Sequence, residues 1–247
     1  MKYLLFPFRC LQSALAILVI AGVALVCMIP FFIFAKCSKS GMFAIQKLWS
    51  WAFVTVCGGR LTVTGQENIP ATGAVYLFNH SSFLDIPVLV LGTNKFVNYV
   101  AKKELGMIPV VGWCIRAAGT LMMPRKNFEA SIALYEKAKA RLAVGEQFMV
   151  APEGTRNRQR EGMGPFKSGP FYFAMSCQAD LVPVILWGTQ DLWPPEDLVP
   201  NLRKMTGRIH MHICPKMSTQ DWTDENRKAK MEELRKYFEE QLKNPPH

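Results

Sequence analysis

The residue types in this chain offer one proton-moving pair, His80 and Asp85, five apart in the run Asn79-His80-Ser81-Ser82-Phe83-Leu84-Asp85. An imidazole with an unperturbed pKa of ~6.5 can take a proton near neutrality, and a carboxylate on its other ring nitrogen would fix the tautomer and support the cation. On one regular helix a separation of five leaves two side chains about 140° apart, so the pair can meet only if His80 precedes the helix. Ser82-Phe83-Leu84-Asp85 reads as a capping box, which starts a helix at Ser82 and leaves His80 in the loop before it. A plainer reading fits the same residues: Asp85 only caps a helix and His80 is a satisfied turn residue. Ser81 and Ser82 carry hydroxyls, but no G-x-S-x-G turn surrounds them, and capping accounts for Ser82.

A second group, Pro152-Glu153-Gly154-Thr155-Arg156, follows the apolar run Phe148-Met149-Val150-Ala151. A charged turn at a strand end can grip an anion. Arg156 has the planar fork that matches phosphate oxygens, Gly154 lets the backbone approach closely, and Glu153 could orient the arginine or bond a glycerol hydroxyl. The alternative is a solvated polar turn. Arg158, Arg160 and Lys167 follow with only Glu161 opposing them, which favours the anion. Gly119-Thr120-Leu121-Met122-Met123-Pro124-Arg125 adds one more arginine just after a strand.

These groups require a scaffold that ends strands in loops. After Gly58-Gly59 the chain alternates short β-rich runs with helical ones, which predicts an α/β fold built on a single mixed sheet. Strands are expected near Leu61–Thr64, Val75–Asn79, Val97–Ala101, Thr120–Met123, Phe148–Ala151, Val182–Trp187 and Arg208–Cys214. Helices are expected near Ser82–Leu91, Val110–Ala117, Phe128–Val144, Gly169–Cys177 and Asp224–Leu242, the last amphipathic and packed on the sheet.

The first 58 residues read differently. Half of the chain is hydrophobic, and Cys10 to Ala35 contains no charged side chain over a length that, as a helix, exceeds a ~30 Å hydrocarbon core. That run is too long for the apolar core of a secretory signal, and no small-residue cleavage site follows it. Pro30 should kink or end the first helix, and a second apolar stretch, Gly41 to Gly58, carries only Lys47. A two-helix membrane anchor over residues 1–58 and a catalytic domain over 59–247 are therefore expected. Lys2, Arg9, Lys36, Lys39, Lys47 and Arg60, with no acidic residue among the first 60, account for six of the formal +10 charges. Basic residues interleaved with bilayer-length apolar runs point to anionic membrane lipids as the partner and away from nucleic acid. Flanking charge on both sides of the first run leaves its orientation open, and a hairpin in one leaflet would satisfy both sides.

The seven cysteines form no C-x-x-C pair, so neither a zinc site nor a disulfide framework is indicated, and free thiols suit a reducing compartment. His210 and His212 alternate on a predicted strand and share a face, but no neighbouring Cys, Asp or Glu completes a ligand set; no metal is assigned.

Taken together in order, the blocks resemble the 1-acyl-glycerol-3-phosphate (lysophosphatidate) acyltransferases. The likeness runs from about Arg60 to Trp187: Asn79 to Asp85, Ala101-Lys102-Lys103-Glu104-Leu105 with Gly112-Trp113, Gly119 to Arg125, Glu153 to Arg156, Phe166-Lys167-Ser168-Gly169, and Val182-Pro183-Val184-Ile185. It departs from the family pattern at Pro124 and at Ser168. The resemblance implies that His80 and Asp85 are catalytic and that Glu153, Gly154, Thr155, Arg156, Arg125 and Lys167 bind the acceptor's phosphate. It implies direct transfer from acyl-CoA or acyl carrier protein to the sn-2 hydroxyl of lysophosphatidic acid, giving phosphatidic acid. No cofactor is needed beyond the thioester co-substrate. The enzyme is then expected at a membrane with its site facing the cytoplasm. Glycerol-3-phosphate or another lysolipid is an alternative acceptor, and a non-catalytic membrane adaptor is the alternative of a different class.

Overall fold

Val75-Tyr76-Leu77-Phe78 is buried at every position, which is the pattern of a central strand covered on both faces by helices. The computed structural model describes residues 18, 22, 38–108, 111–123, 128–159, 162–197, 199–201 and 206–246. Its elements in chain order are α1 (Lys39–Val56), β1 (Gly59–Thr64), β2 (Val75–Phe78), α2 (Asp85–Thr93), β3 (Val97–Lys102), α3 (Val111–Ala117), β4 (Leu121–Met123) and α4 (Phe128–Ala143). There follow β5 (Gln147–Val150), α5 (Ser168–Ser176), β6 (Leu181–Trp187), α6 (Thr189–Leu192), β7 (Gly207–Ile213) and α7 (Arg227–Leu242). Short 3₁₀ turns occupy Gln66–Asn68 and Lys103–Met107.

All seven strands form one sheet, in the order β1-β7-β6-β2-β5-β3-β4. Strands β2 to β6 run in one direction, β7 pairs antiparallel with β6, and β1 pairs parallel with β7, so the sheet is mixed as expected. Alternation along β2 sends Tyr76 and Phe78 to one face, against Phe53 and Val54 of α1 and Val88 and Leu89 of α2. It sends Val75 and Leu77 to the other, against Ala138 and Leu142 of α4, Phe171 and Phe173 of α5, and Leu234 and Phe238 of α7. Full burial of each large apolar side chain contributes about 1.5–3 kcal/mol, so this sandwich is what fixes the strand ends in place.

Strand and helix ends fall within one to three residues of the sequence expectations. The helix after β2 begins at Asp85, not at Ser82 as the capping-box reading has it. Half of that box is made, since the Ser82 amide donates to Asp85 Oδ2 at 2.8 Å. The Ser82 hydroxyl is engaged elsewhere: it accepts from the Leu84 amide and donates to the Trp193 carbonyl at 2.7 Å, so Phe83 and Leu84 form a turn ahead of the helix.

The stretch from Gly41 to Gly58, expected as the second membrane helix, is α1, which packs on α2 and β1 and places Phe53, Val54 and Cys57 in the core of the domain. No described helix is long and apolar enough to cross a membrane. The first expected membrane helix, residues 10–35, lies outside the described residues apart from Leu18 and Gly22.

Candidate active site

Strands β2 and β5 are neighbours, yet their connections leave in opposite directions: α2 packs on one face of the sheet and α5 on the other. Such a divergence opens a crevice at the carboxyl ends of the two strands, where loops meet with no helix between them. His80 stands on the loop after β2, and Glu153 to Arg156 on the loop after β5. The Asn157 amide donates to the His80 carbonyl at 2.6 Å and ties the loops together.

The last residue before His80 extends β2 by means of its side chain. Asn79 donates from its carboxamide to the Leu186 carbonyl and accepts from the Leu186 amide, both at 2.8 Å, continuing the β2–β6 ladder past its final backbone pair. Its side chain is buried, so the point from which the His80 loop departs is fixed.

His80 Nδ1 lies 2.8 Å from Asp85 Oδ2. The aspartate side chain is fully buried, whereas one fifth of the histidine side chain is exposed. The same Oδ2 accepts from the Ser81 amide at 2.7 Å and the Ser82 amide at 2.8 Å. Oδ2 already serves as acceptor to two backbone amides, so the third contact is read as donation from His80 Nδ1. Nε2 is left with its lone pair and makes no hydrogen bond among the described residues. The Phe78 ring meets the imidazole edge-on at 5.5 Å and limits its rotation. Asp85 Oδ1 is buried without a partner.

The loop after β5 turns at Gly154, whose φ of 70° lies where a side chain is strained. Glu153 points inward and is buried. Its Oε2 accepts from the Gly164 amide at 2.7 Å, and a Cβ at Gly164 would stand 2.7 Å from that oxygen, so a larger residue there would displace the carboxylate. Oε1 has no partner. Burial pushes the Glu153 carboxyl above its ordinary value, against the Gly164 and His80 amides, which favour the ionised form.

The Arg156 guanidinium stands over the Phe83 ring, with Cζ 3.7 Å from the ring centroid, and its Nη1 is buried with no hydrogen-bond partner among the described residues. Burial, with the charge of Arg158, holds the guanidinium below its ordinary value, and Asp85 opposes that shift; it remains cationic at any working pH. Of the two roles open to Glu153, orienting the arginine or bonding a glycerol hydroxyl, the first has no hydrogen bond to Arg156 behind it among the described residues, and the Phe83 ring supports the guanidinium instead. Lys167 precedes α5, its amide donates to the Pro152 carbonyl at 2.7 Å, and its stem lies against Gly154. Thr155 is exposed on the same turn. Arg125 lies outside the described residues. His210 and His212 lie on β7, each with one ring nitrogen 2.9 Å from the Thr64 hydroxyl.

The crevice thus joins a base with a free nitrogen, a buried carboxyl with an unused oxygen, and an arginine with an unused donor. Asn79, Phe83, Asn157, Gly164 and Trp193 complete it and were not assigned from sequence. Only Asn79 and Phe83 lay close enough to the His80 run to draw attention, and neither carries a charge that would mark it.

Residues 60–187 match the acyltransferase family model. The chain belongs to that family. It is 32% identical over 152 residues to the chloroplastic 1-acyl-sn-glycerol-3-phosphate acyltransferase LPAT1 of Arabidopsis thaliana, covering 61% of this chain and 42% of that one. It is 29% identical over 189 residues to the 1-acyl-sn-glycerol-3-phosphate acyltransferase of Helicobacter pylori, covering 74% and 79%. The chain spans about half the length of the plant and algal relatives it matches. Its fold is that of the crystal structure of PlsC, the 1-acyl-sn-glycerophosphate (LPA) acyltransferase from Thermotoga maritima, with TM-score 0.76 and 24% identity over 97% of this chain and 99% of that one.

Proposed function

We propose that the chain transfers a fatty acyl group from acyl-CoA or acyl carrier protein to the sn-2 hydroxyl of 1-acylglycerol-3-phosphate, giving phosphatidic acid. The single observation that carries this reading is the 2.8 Å contact between His80 Nδ1 and Asp85 Oδ2, which leaves Nε2 free to act as a base, while the loop after β5 holds the unsatisfied Nη1 of Arg156. Nε2 takes the proton of the acceptor hydroxyl as its oxygen attacks the thioester carbonyl. The tetrahedral intermediate then collapses, the C–S bond breaks, and the proton on Nε2 passes to the departing thiolate. Asp85 stabilises the imidazolium in between. No acyl-enzyme forms. A positioned base contributes ~10²–10⁴-fold, and orientation and oxyanion stabilisation supply the rest.

Arg156, with Lys167, Gly154 and Thr155 on its turn and Arg125 beyond the described residues, grips the acceptor phosphate. The unused Glu153 Oε1 accepts from a hydroxyl of the glycerol backbone. The lipid chains keep the enzyme at a bilayer: at ~0.8 kcal/mol per CH₂, drawing a roughly 16-carbon chain into water costs on the order of 12 kcal/mol. The apolar run within residues 1–38, ahead of α1, provides the anchor, seated in a leaflet with anionic lipids, and the crevice faces the cytoplasm.

The test is purified protein in detergent offered lysophosphatidate with acyl-CoA or acyl carrier protein, and in parallel glycerol-3-phosphate, with phosphatidate measured as the product of the first acceptor and lysophosphatidate as that of the second. Wild type should form phosphatidate from lysophosphatidate, and His80→Ala, confirmed folded, should fall by ~10²-fold or more. Undiminished turnover by His80→Ala would sink the mechanism, and an absence of product with every acceptor would sink the reading.

A further inference from the structure

Beyond the crevice, the segment between β3 and α3 leaves large apolar side chains in solvent. Leu105 is 42% exposed, Met107 72%, Ile108 44% and Trp113 52%. They form one knob. The 3₁₀ turn and α3 pack back to back through two glycines, and a Cβ at Gly112 would stand 2.2 Å from the Gly106 carbonyl. Both glycines are buried, the Gly112 amide donates to the Ile108 carbonyl, and the flanking apolar side chains are turned outward. A soluble surface scatters such residues singly; four within nine positions of one knob mark a contact surface.

Two features identify what it contacts. Residues 101–120 contain three basic side chains, Lys102, Lys103 and Arg116, against one acidic, Glu104, and Lys103 and Arg116 are exposed beside the apolar group. Charge of this sign around apolar and indole side chains complements an anionic lipid interface. The knob also follows the carboxyl end of β3, the same edge of the sheet as His80, with only β5 between β3 and β2. At ~4.8 Å between strands it stands roughly 10 Å to the side of the crevice.

We propose that the knob formed by residues 103–108 and 111–113 is a second membrane contact, separate from the anchor ahead of α1, which seats the edge bearing His80 against the headgroups of an anionic bilayer. Leu105, Met107, Ile108 and Trp113 enter the interface, and Lys103 and Arg116 meet lipid phosphates. This inference rests on the lipid-acyltransferase reading for its purpose but not for its first measurement.

Full-length protein is reconstituted in phosphatidylcholine–phosphatidylglycerol vesicles, with bromine on the acyl chains as quencher. The contribution of Trp113 is taken as the difference between wild type and Trp113→Phe. Bromolipid should quench it, and iodide in the aqueous phase should not. Quenching by iodide alone, or by neither, would overturn the proposal, since the knob would then face water or be covered by protein, the chain's own or a partner's. The second measurement is kinetic. The double substitution Met107→Asp/Ile108→Asp lies on exposed positions and should leave the melting transition unchanged. It should lower acyl transfer to vesicle-embedded lysophosphatidate by roughly tenfold and leave transfer to a short-chain, water-soluble lysophosphatidate within about twofold of wild type. Equal loss on both acceptors would assign the knob to the substrate site and overturn the proposal. If wild type transfers no acyl group at all, the functional reading fails while the quenching result still decides the membrane contact.

Discussion

Replacing Asp85 by Asn removes one charge and almost no volume, so its effect can be worked out bond by bond. Asp85 Oδ2 accepts from His80 Nδ1, the Ser81 amide and the Ser82 amide at 2.8, 2.7 and 2.8 Å. Hydrogen bonds to a charged acceptor contribute about 1.5–3 kcal/mol and neutral ones about 0.5–1.5, so each of the three weakens by about 1 kcal/mol when the acceptor becomes an amide oxygen. The new NH₂ falls where Oδ1 now has no partner, and a buried donor left unsatisfied costs a further ~1–3 kcal/mol. Relief from burying a carboxylate offsets part of this, and the net loss of stability should be about 2–4 kcal/mol. For turnover the consequence is larger, because the imidazolium formed as Nε2 takes the proton loses its counter-charge. A fall of ~10²–10⁴-fold is expected, the range between a general-base contribution and the loss seen when a base-orienting carboxylate becomes an amide. The assay is the initial rate of phosphatidate formation at saturating thioester, with urea unfolding on the same preparations. His80→Ala should lose similar activity at a smaller cost in stability, since Asp85 keeps both amide donors. The double variant should be no slower than His80→Ala alone, because the aspartate acts only through the histidine. Near-wild-type turnover by folded Asp85→Asn, or multiplying losses in the double variant, would refute the reasoning.

Arg156→Ala should lower kcat/KM for lysophosphatidate by roughly 10- to 150-fold, or ~1.5–3 kcal/mol, and much less for monoacylglycerol, which lacks the phosphate. Arg156→Lys should fall between, because lysine keeps the charge and loses the fork; equal losses on both acceptors would remove Arg156 from the phosphate site. Burial alone would raise the Glu146 carboxyl, but hydrogen bonds from Lys39 and Arg141 outweigh it and hold it below its ordinary value of 4.5. The stability it contributes is therefore present above about pH 4.5 and is lost as pH falls through its lower folded value. Glu146→Gln should destabilise at pH 7 and lose that difference in acid, as read by urea midpoints across pH. The Tyr76 hydroxyl is buried in the core without a partner, so Tyr76→Phe should raise stability by about 1–3 kcal/mol in the same assay; a loss of that size would reveal a bond to that oxygen.

What could be read from the sequence is what neighbouring residues decide. Seven apolar runs bounded by Gly, Pro and polar clusters were sufficient to place seven strands, and the His80–Asp85 contact follows from a strand, a turn and a helix start within seven residues. Asn79 and Ser82 show the limit. Their partners, Leu186 and Trp193, lie 107 and 111 residues away, and nothing in the run from Asn79 to Asp85 indicates them. The same distance explains the displaced helix start, since a Ser82 hydroxyl bonded to Trp193 is withdrawn from capping. Apolar composition could not separate bilayer from core for residues 41–58, because Phe53 is equally suited to lipid tails and to the Trp193 ring it stacks on at 5.5 Å. The platform under Arg156 was invisible for a related reason: a ring's role as a cation's support depends on which arginine the fold brings to it.

Trp193, just after α6, holds both halves of the crevice. Its ring stacks on Phe53 of α1 at 9° between planes and meets Phe83 at 5.0 Å, while its carbonyl accepts the Ser82 hydroxyl. Phe83 carries the Arg156 guanidinium, and the Ser82 amide is one of the three donors on Asp85. A line of contacts therefore runs from α1 through one indole to the arginine on one side and, through Asp85, to the histidine on the other. The proposed acyl transfer to a free hydroxyl of a phosphate-bearing acceptor needs anion and base held at a fixed separation, because a small displacement of either would take the attacking oxygen out of reach of Nε2. Short loops on separate strands would drift independently. Trp193 holds Phe83 on the β2 loop and Phe83 carries Arg156 of the β5 loop, so the two are tied together, and because the same ring packs on Phe53, α1 belongs to the frame that holds them.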